Sequence, residues 1–171
     1  MKSFIANVCI LGVIGVLIGT KVFAADTAQI SATVTVQNIS VSVSDGSIDY
    51  GTLAPGGSQD TTTNGNGDSQ TATNDGNVNE DFKIKGANVT TGCSWTLSTS
   101  AGDEQYSHEF CTTDCDSSPT WTALTTDYTD LATGVTPSGT QDFDLKITVP
   151  TSTNCDQQAT VDVTVQATAA S

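Results

Sequence analysis

Four oxygen-bearing side chains at alternate positions, Asp75-x-Asn77-x-Asn79-x-Asp81, are the first feature with chemical potential. Calcium takes six to eight oxygen ligands, and carboxylates and amides spaced by two residues are one way to supply them. A helix–loop–helix calcium site would need glycine where Glu80 stands and a bidentate glutamate where Gly86 stands, so that template does not fit. What remains is either a calcium loop of another kind or an Asn-Gly-rich hairpin with exposed acids. Asp114 and Asp116 form a weaker cluster of the same sort.

His108-x-x-Cys111-x-x-x-Cys115 offers three zinc ligands. Structural zinc sites normally pair two short-spaced clusters, and no second cluster accompanies this one. Cys93 and Cys155 bring the cysteines after residue 25 to four, an even number that suits two disulfides out of three possible connectivities. The favoured pairing is Cys111–Cys115, pinching Cys-Thr-Thr-Asp-Cys, with Cys93–Cys155 closing a long loop. In the chain-entropy view the long closure stabilises by roughly 4 kcal/mol and the short one by about half that.

Signs of nucleophilic catalysis are absent from the sequence. Gly67-Asp68-Ser69-Gln70-Thr71 and Gly92-Cys93-Ser94-Trp95-Thr96 approach the Gly-x-Ser-x-Gly elbow, but each lacks the final glycine. His108 is the single histidine, on a strand face with Tyr106 and Phe110, where packing explains it as well as catalysis does. The expectation is a protein that is not an enzyme. Trp121, in Ser-Pro-Thr-Trp-Thr beside a turn, is the candidate for stacking against a sugar. Trp95 alternates with Cys93 and Leu97 and reads as core beside a disulfide. Asn38-Ile39-Ser40 and Asn88-Val89-Thr90 match the glycosylation sequon.

The elements holding these residues read as strands. Phe143, Leu145, Ile147 and Val149 alternate with Asp142, Asp144, Lys146 and Thr148 until Pro150 stops the run. Ala159, Val161, Val163, Val165 and Ala167 repeat the pattern. Between the Cys93–Leu97 strand and the Tyr106–Phe110 strand, residues 98–104 read as a hairpin loop. Near the start, Ile30, Ala32, Val34 and Val36 alternate in one register and Ile39, Val41 and Val43 in the other, so a bulge or sheet crossing is expected at Gln37-Asn38. Ala28 to Val43 is thus a long Val/Thr strand, suited to insertion at a neighbour's sheet edge. Residues 58–70 carry no large apolar side chain and are expected as a flexible, low-complexity loop.

The compartment follows from the other end of the chain. Lys2, the apolar run Phe4–Thr20 and Val22-Phe23-Ala24 have the order of a secretory signal peptide, expected to be cleaved and to occupy residues 1–25. All 19 acidic residues lie beyond it, against Lys83, Lys85 and Lys146 and no arginine, a formal charge of about −16 for residues 26–171. Such a surface repels nucleic acid, whose recognition rests on cations neutralising phosphates, and excludes that partner class. No later stretch is apolar enough to span a bilayer, so no membrane span is expected after cleavage.

Short strands every 8 to 12 residues or so, with turn signals between them, indicate an all-β fold: one antiparallel β-sandwich of about 7–9 strands over residues 26–171. Ile48-Asp49-Tyr50-Gly51-Thr52-Leu53-Ala54-Pro55-Gly56, followed by Thr71-Ala72-Thr73-Asn74-Asp75-Gly76-Asn77-Val78-Asn79-Glu80-Asp81-Phe82-Lys83-Ile84, resembles immunoglobulin-like modules of secreted bacterial and archaeal surface proteins. That resemblance covers about a quarter of the chain and implies an immunoglobulin-like sandwich acting as a surface, filament or auxiliary module. It supplies no catalytic residue. The expected function is an extracellular or cell-surface structural protein, a filament or surface-layer subunit exchanging its N-terminal strand. Its partners would be copies of itself or other surface proteins. The alternative is an adhesin-type module binding glycans through Trp121, and calcium is the one candidate cofactor.

Overall fold

The computed structural model describes residues 27–171, all of them strand, turn or coil. The expected signal peptide, residues 1–25, lies outside the described residues. The chain divides into two units, residues 1–35 and 36–171. The second carries all ten strands found among the described residues, more than the seven to nine expected. Four of the ten pair over only two or three residues: β1, β2, β5 and β7.

In chain order the strands are β1 Val41–Val43, β2 Ser58–Asp60, β3 Gln70–Asn74, β4 Glu80–Gly86, β5 Thr96–Leu97, β6 Gln105–Cys111, β7 Thr122–Ala123, β8 Thr129–Val135, β9 Thr140–Thr148 and β10 Val163–Ala169. One sheet runs β1-β3-β9-β6-β5, with β2 on β9 and β7 on β6; the other runs β10-β4-β8. Ala72, Phe110, Phe143 and Leu145 of the first sheet meet Phe82, Ile84 and Leu131 of the second, with Leu124 between strands, in one buried cluster. Two sheets closing on a shared apolar layer is how alternating strands remove their inner faces from water.

Two distinct ends follow from the register. At one, the β3–β4 turn (residues 75–79) lies beside Gly139, whose carbonyl accepts the Asn74 N–H at 2.9 Å, and beside Ala170, whose N–H donates to Asn79 at 2.9 Å. At the other, Gly56 donates to the Pro150 carbonyl at 2.9 Å, and Cys93 is bonded to Cys155 with their Cα atoms 5.6 Å apart. We call these the turn pole and the disulfide pole.

Several expectations need correcting. Residues 98–104 are not a hairpin loop, since β5 and β6 pair in parallel, Thr96 opposite Gln105. The chain doubles back within the loop, where Glu104 adopts φ 51° and Gly102 bridges to Gln105, so it re-enters in the original direction. The long N-terminal strand contracts to Val41–Val43. The last strand begins at Val163 rather than Ala159.

Candidate functional site

Residues 58–70 contain β2, and Thr61 beyond it is fully buried. Thr61 Oγ1 donates to Asp144 Oδ1 at 2.8 Å and accepts the Leu145 N–H at 2.9 Å, while Ser69 Oγ donates to the same carboxylate oxygen. Thr63 holds Asp116 through its N–H (2.7 Å) and its hydroxyl (2.8 Å), which together keep that carboxyl below the usual range. The stretch expected as a flexible loop is therefore fastened by polar contacts.

The N-terminal segment is the converse. Ile30, Val34 and Val36 are 94 %, 90 % and 81 % exposed, and residues 27–40 form no strand. From Thr27 to Ser44 there is no charged residue, in a chain that otherwise averages one acid every eight or nine residues. Monomeric surfaces carry single exposed apolar residues freely, but a run of them at strand spacing marks an interaction surface.

The root of this segment, from Val36 onward, is clamped to the turn pole. Asn77 Nδ2 donates to the Val36 carbonyl at 2.9 Å, and the Asn38 N–H donates to Asn77 Oδ1 at 2.8 Å. The Asn77 N–H returns to the Asn38 carbonyl at 3.1 Å, and Asp75 donates to the Ser40 carbonyl at 2.8 Å. The Ser40 N–H donates to Glu80 Oε1 at 2.9 Å. Glu80 is fully buried, and its Oε2 has no hydrogen-bond partner among the described residues. Sequence reasoning missed Glu80, although it sits in register with Phe82 and Ile84 on the inward face of β4.

Of the four oxygen residues read as a calcium loop, Asn77 is committed to this clamp and Asp81 Oδ1 accepts the Gly134 N–H at 2.8 Å across to β8. Asp75 and Asn79 are exposed at the turn. No group of three or more His, Cys, Asp or Glu side chains converges among the described residues. The four cysteines form Cys93–Cys155 and Cys111–Cys115. Trp121 is half-buried, with Lys146 Nζ 5.3 Å from its ring centre and that lysine paired to Glu109 at 2.8 Å. A sugar would have to stack on the other face of this ring, because a cation over an aromatic face is itself a favourable contact.

Between the sheets, an open seam runs from Val43 towards the disulfide pole. Its upper part is a cavity of about 210 Å³ walled by Val43, Ile48, Tyr50, Val161, Val163 and Val165, with Phe143 and Leu145 at its base. It shares Ile48, Tyr50 and Val161 with a larger cleft of about 730 Å³ that continues past Leu53 and Trp95 to Pro150. Inside the seam the Tyr50 hydroxyl lies 2.9 Å from His108 Nε2, with the rings edge to face. Burial pushes the His108 imidazole down to about 4, so it is neutral near pH 7, and its Nδ1 has no partner among the described residues. Burial, aided by the negative charges of Asp68 and Asp60, pushes the Tyr50 phenol up. A neutral imidazole bonded to a protonated phenol anchors residues 48–50 to the sheet.

Trp95 Nε1 donates to Thr153 Oγ1 at 3.0 Å, which donates in turn to Glu104 Oε2 at 2.9 Å. This network stiffens the disulfide pole beside the cleft. Compared with protein-family models, with curated proteins and with solved structures, the chain gives no match.

Proposed function

We propose that this chain is an exported structural protein of the cell surface, built on an immunoglobulin-like sandwich, whose copies join through the N-terminal segment. One observation carries the reading: residues 27–36 present Ile30, Ala32, Val34 and Val36 to solvent at two-residue spacing, without charge and outside any sheet. A strand added to a sheet edge gains main-chain hydrogen bonds and buries its alternate side chains. Each such Val or Ile is worth about 1.5–3 kcal/mol when buried. The disulfides agree with an oxidising compartment.

The acidity of the rest of the molecule sets the condition for assembly. Copies carrying about 16 net negative charges repel one another, whereas the uncharged segment approaches without that cost. Sedimentation of residues 26–171 at micromolar concentration should show multimers that grow with concentration and with added salt, which screens the repulsion. Electron microscopy of the same sample should show them as chains of globular units. Monodisperse monomers across this range would overturn the reading.

A further inference from the structure

We infer that the acceptor for the N-terminal segment is the free edge of β10, with the seam between β10 and residues 44–53 receiving the apolar side chains of a second copy. The inference rests on the assembly reading above and names the surface that reading requires.

Among the described residues β10 ends its sheet, paired only with β4. The inward residues Val161, Val163 and Val165 stay half-buried, although the core residues opposite them, Phe143 and Leu145, are sealed. A sandwich edge whose inner side chains remain partly wet lacks a neighbouring strand. The opposing wall, Ile48 and Tyr50, is also half-buried and belongs to no strand. The seam is therefore open on its backbone side and apolar within.

The occupant is identified by what this chain itself leaves unpaired. Ile30, Ala32, Val34 and Val36 repeat at the two-residue spacing of Val161, Val163 and Val165. The uncharged run from Thr27 to Ser44 suits a cleft bordered by Asp49, Asp156 and Asp162, where a second acidic strand would be repelled.

The other edge of the same sheet fits less well. β8 meets β4 with two register shifts, and Gly134 there takes φ 65°. Such irregular edges resist strand addition.

Position sets the geometry of assembly. The body begins at Val36, clamped to the turn pole, while the seam deepens towards the disulfide pole. Donor root and acceptor thus occupy different surfaces of one molecule, and contacts of that kind are heterologous and propagate head to tail.

The test is cysteine cross-linking between two populations of residues 26–171. One carries Thr33→Cys, and the other carries Thr160→Cys, Asp162→Cys or Thr164→Cys, all three solvent-facing on β10 or on the stretch that leads into it. Thr133→Cys, exposed on β8, is the control. Under mild oxidation, the expected result is a disulfide-linked heterodimer with at least one of these three positions and none with Thr133→Cys. An excess of unlabelled synthetic peptide spanning residues 27–38 should suppress it. Multimers that persist in sedimentation without any β10 cross-link would overturn the acceptor assignment and leave strand-driven assembly standing. No multimers and no cross-link would overturn both.

Discussion

Residues 27–40 and residues 58–70 exchange the roles their compositions suggest. The first alternates Ile and Val like a core strand and lies in water. The second is Asp, Thr, Asn and Gly, yet Thr61 and Thr62 are buried and Asp144 binds two of its hydroxyls. Alternation shows only that a segment has a face to bury, not that its own molecule supplies the cover. Polar composition likewise fails to exclude burial, because hydroxyls and carboxylates that satisfy one another can be buried without leaving orphaned groups.

The sharpest way to break this contrast is to remove the carboxylate beneath residues 58–70. Asp144→Ala takes away the acceptor of the fully buried Thr61 hydroxyl and the tie to Ser69, and should cost about 3 kcal/mol. Urea unfolding at low protein concentration would measure it; a loss under about 0.5 kcal/mol would mean that this stretch is not part of the cooperative body.

A comparable effect is expected where residues 48–50 are tied down by Tyr50 and His108. The folded imidazole titrates at about 4 against 6.5 for an ordinary histidine. Between these values the unfolded chain takes up the proton and the folded one does not. Stability is therefore full above pH 6.5, falls as the pH drops to about 4, and loses nothing further from this group below that. The window is worth roughly 3 kcal/mol. Unfolding of wild type and His108→Gln between pH 4 and 7 should give a shallower slope for the variant; parallel curves would remove the buried-histidine explanation.

The smallest stability effect belongs to the exposed segment. Val34→Asp should change the unfolding free energy by no more than about 0.5 kcal/mol, as surface substitutions do, while abolishing the multimers seen by sedimentation. A large loss of monomer stability would show that the segment covers its own body after all.

Where interactions are local, or the periodic side chains are buried in the molecule's own core, the structure was legible beforehand. Phe143 to Thr148 lies within β9, since its alternation is long and Pro150 marks its end. The pairing of Cys111 with Cys115 needs only four residues of chain, and Cys93 then has Cys155 as its partner. The parallel approach of β5 to β6 was not legible, because strand direction depends on how Ser98–Glu104 coils, not on its residue types. Nor was the clamp legible: Asn77 and Glu80 gain their roles from Val36, Asn38 and Ser40, about forty residues away. The seam escaped notice for a related reason, as it is the space between two segments that each read as ordinary edge.

The Cys93–Cys155 bond also governs how the molecule responds to being pulled. In a head-to-tail chain, tension enters along the segment that leaves Val36 and reaches β1, whose hydrogen bonds to β3 lie across the strand axis and so are loaded in shear. If the body yields, most of the 62-residue separation between the two cysteines stays closed by the covalent link. At about 3.3–3.6 Å per residue, roughly 200 Å of polypeptide is withheld from extension. A strained subunit would lengthen by a limited step, keep its disulfide pole folded together, and refold from that remnant when the load is released.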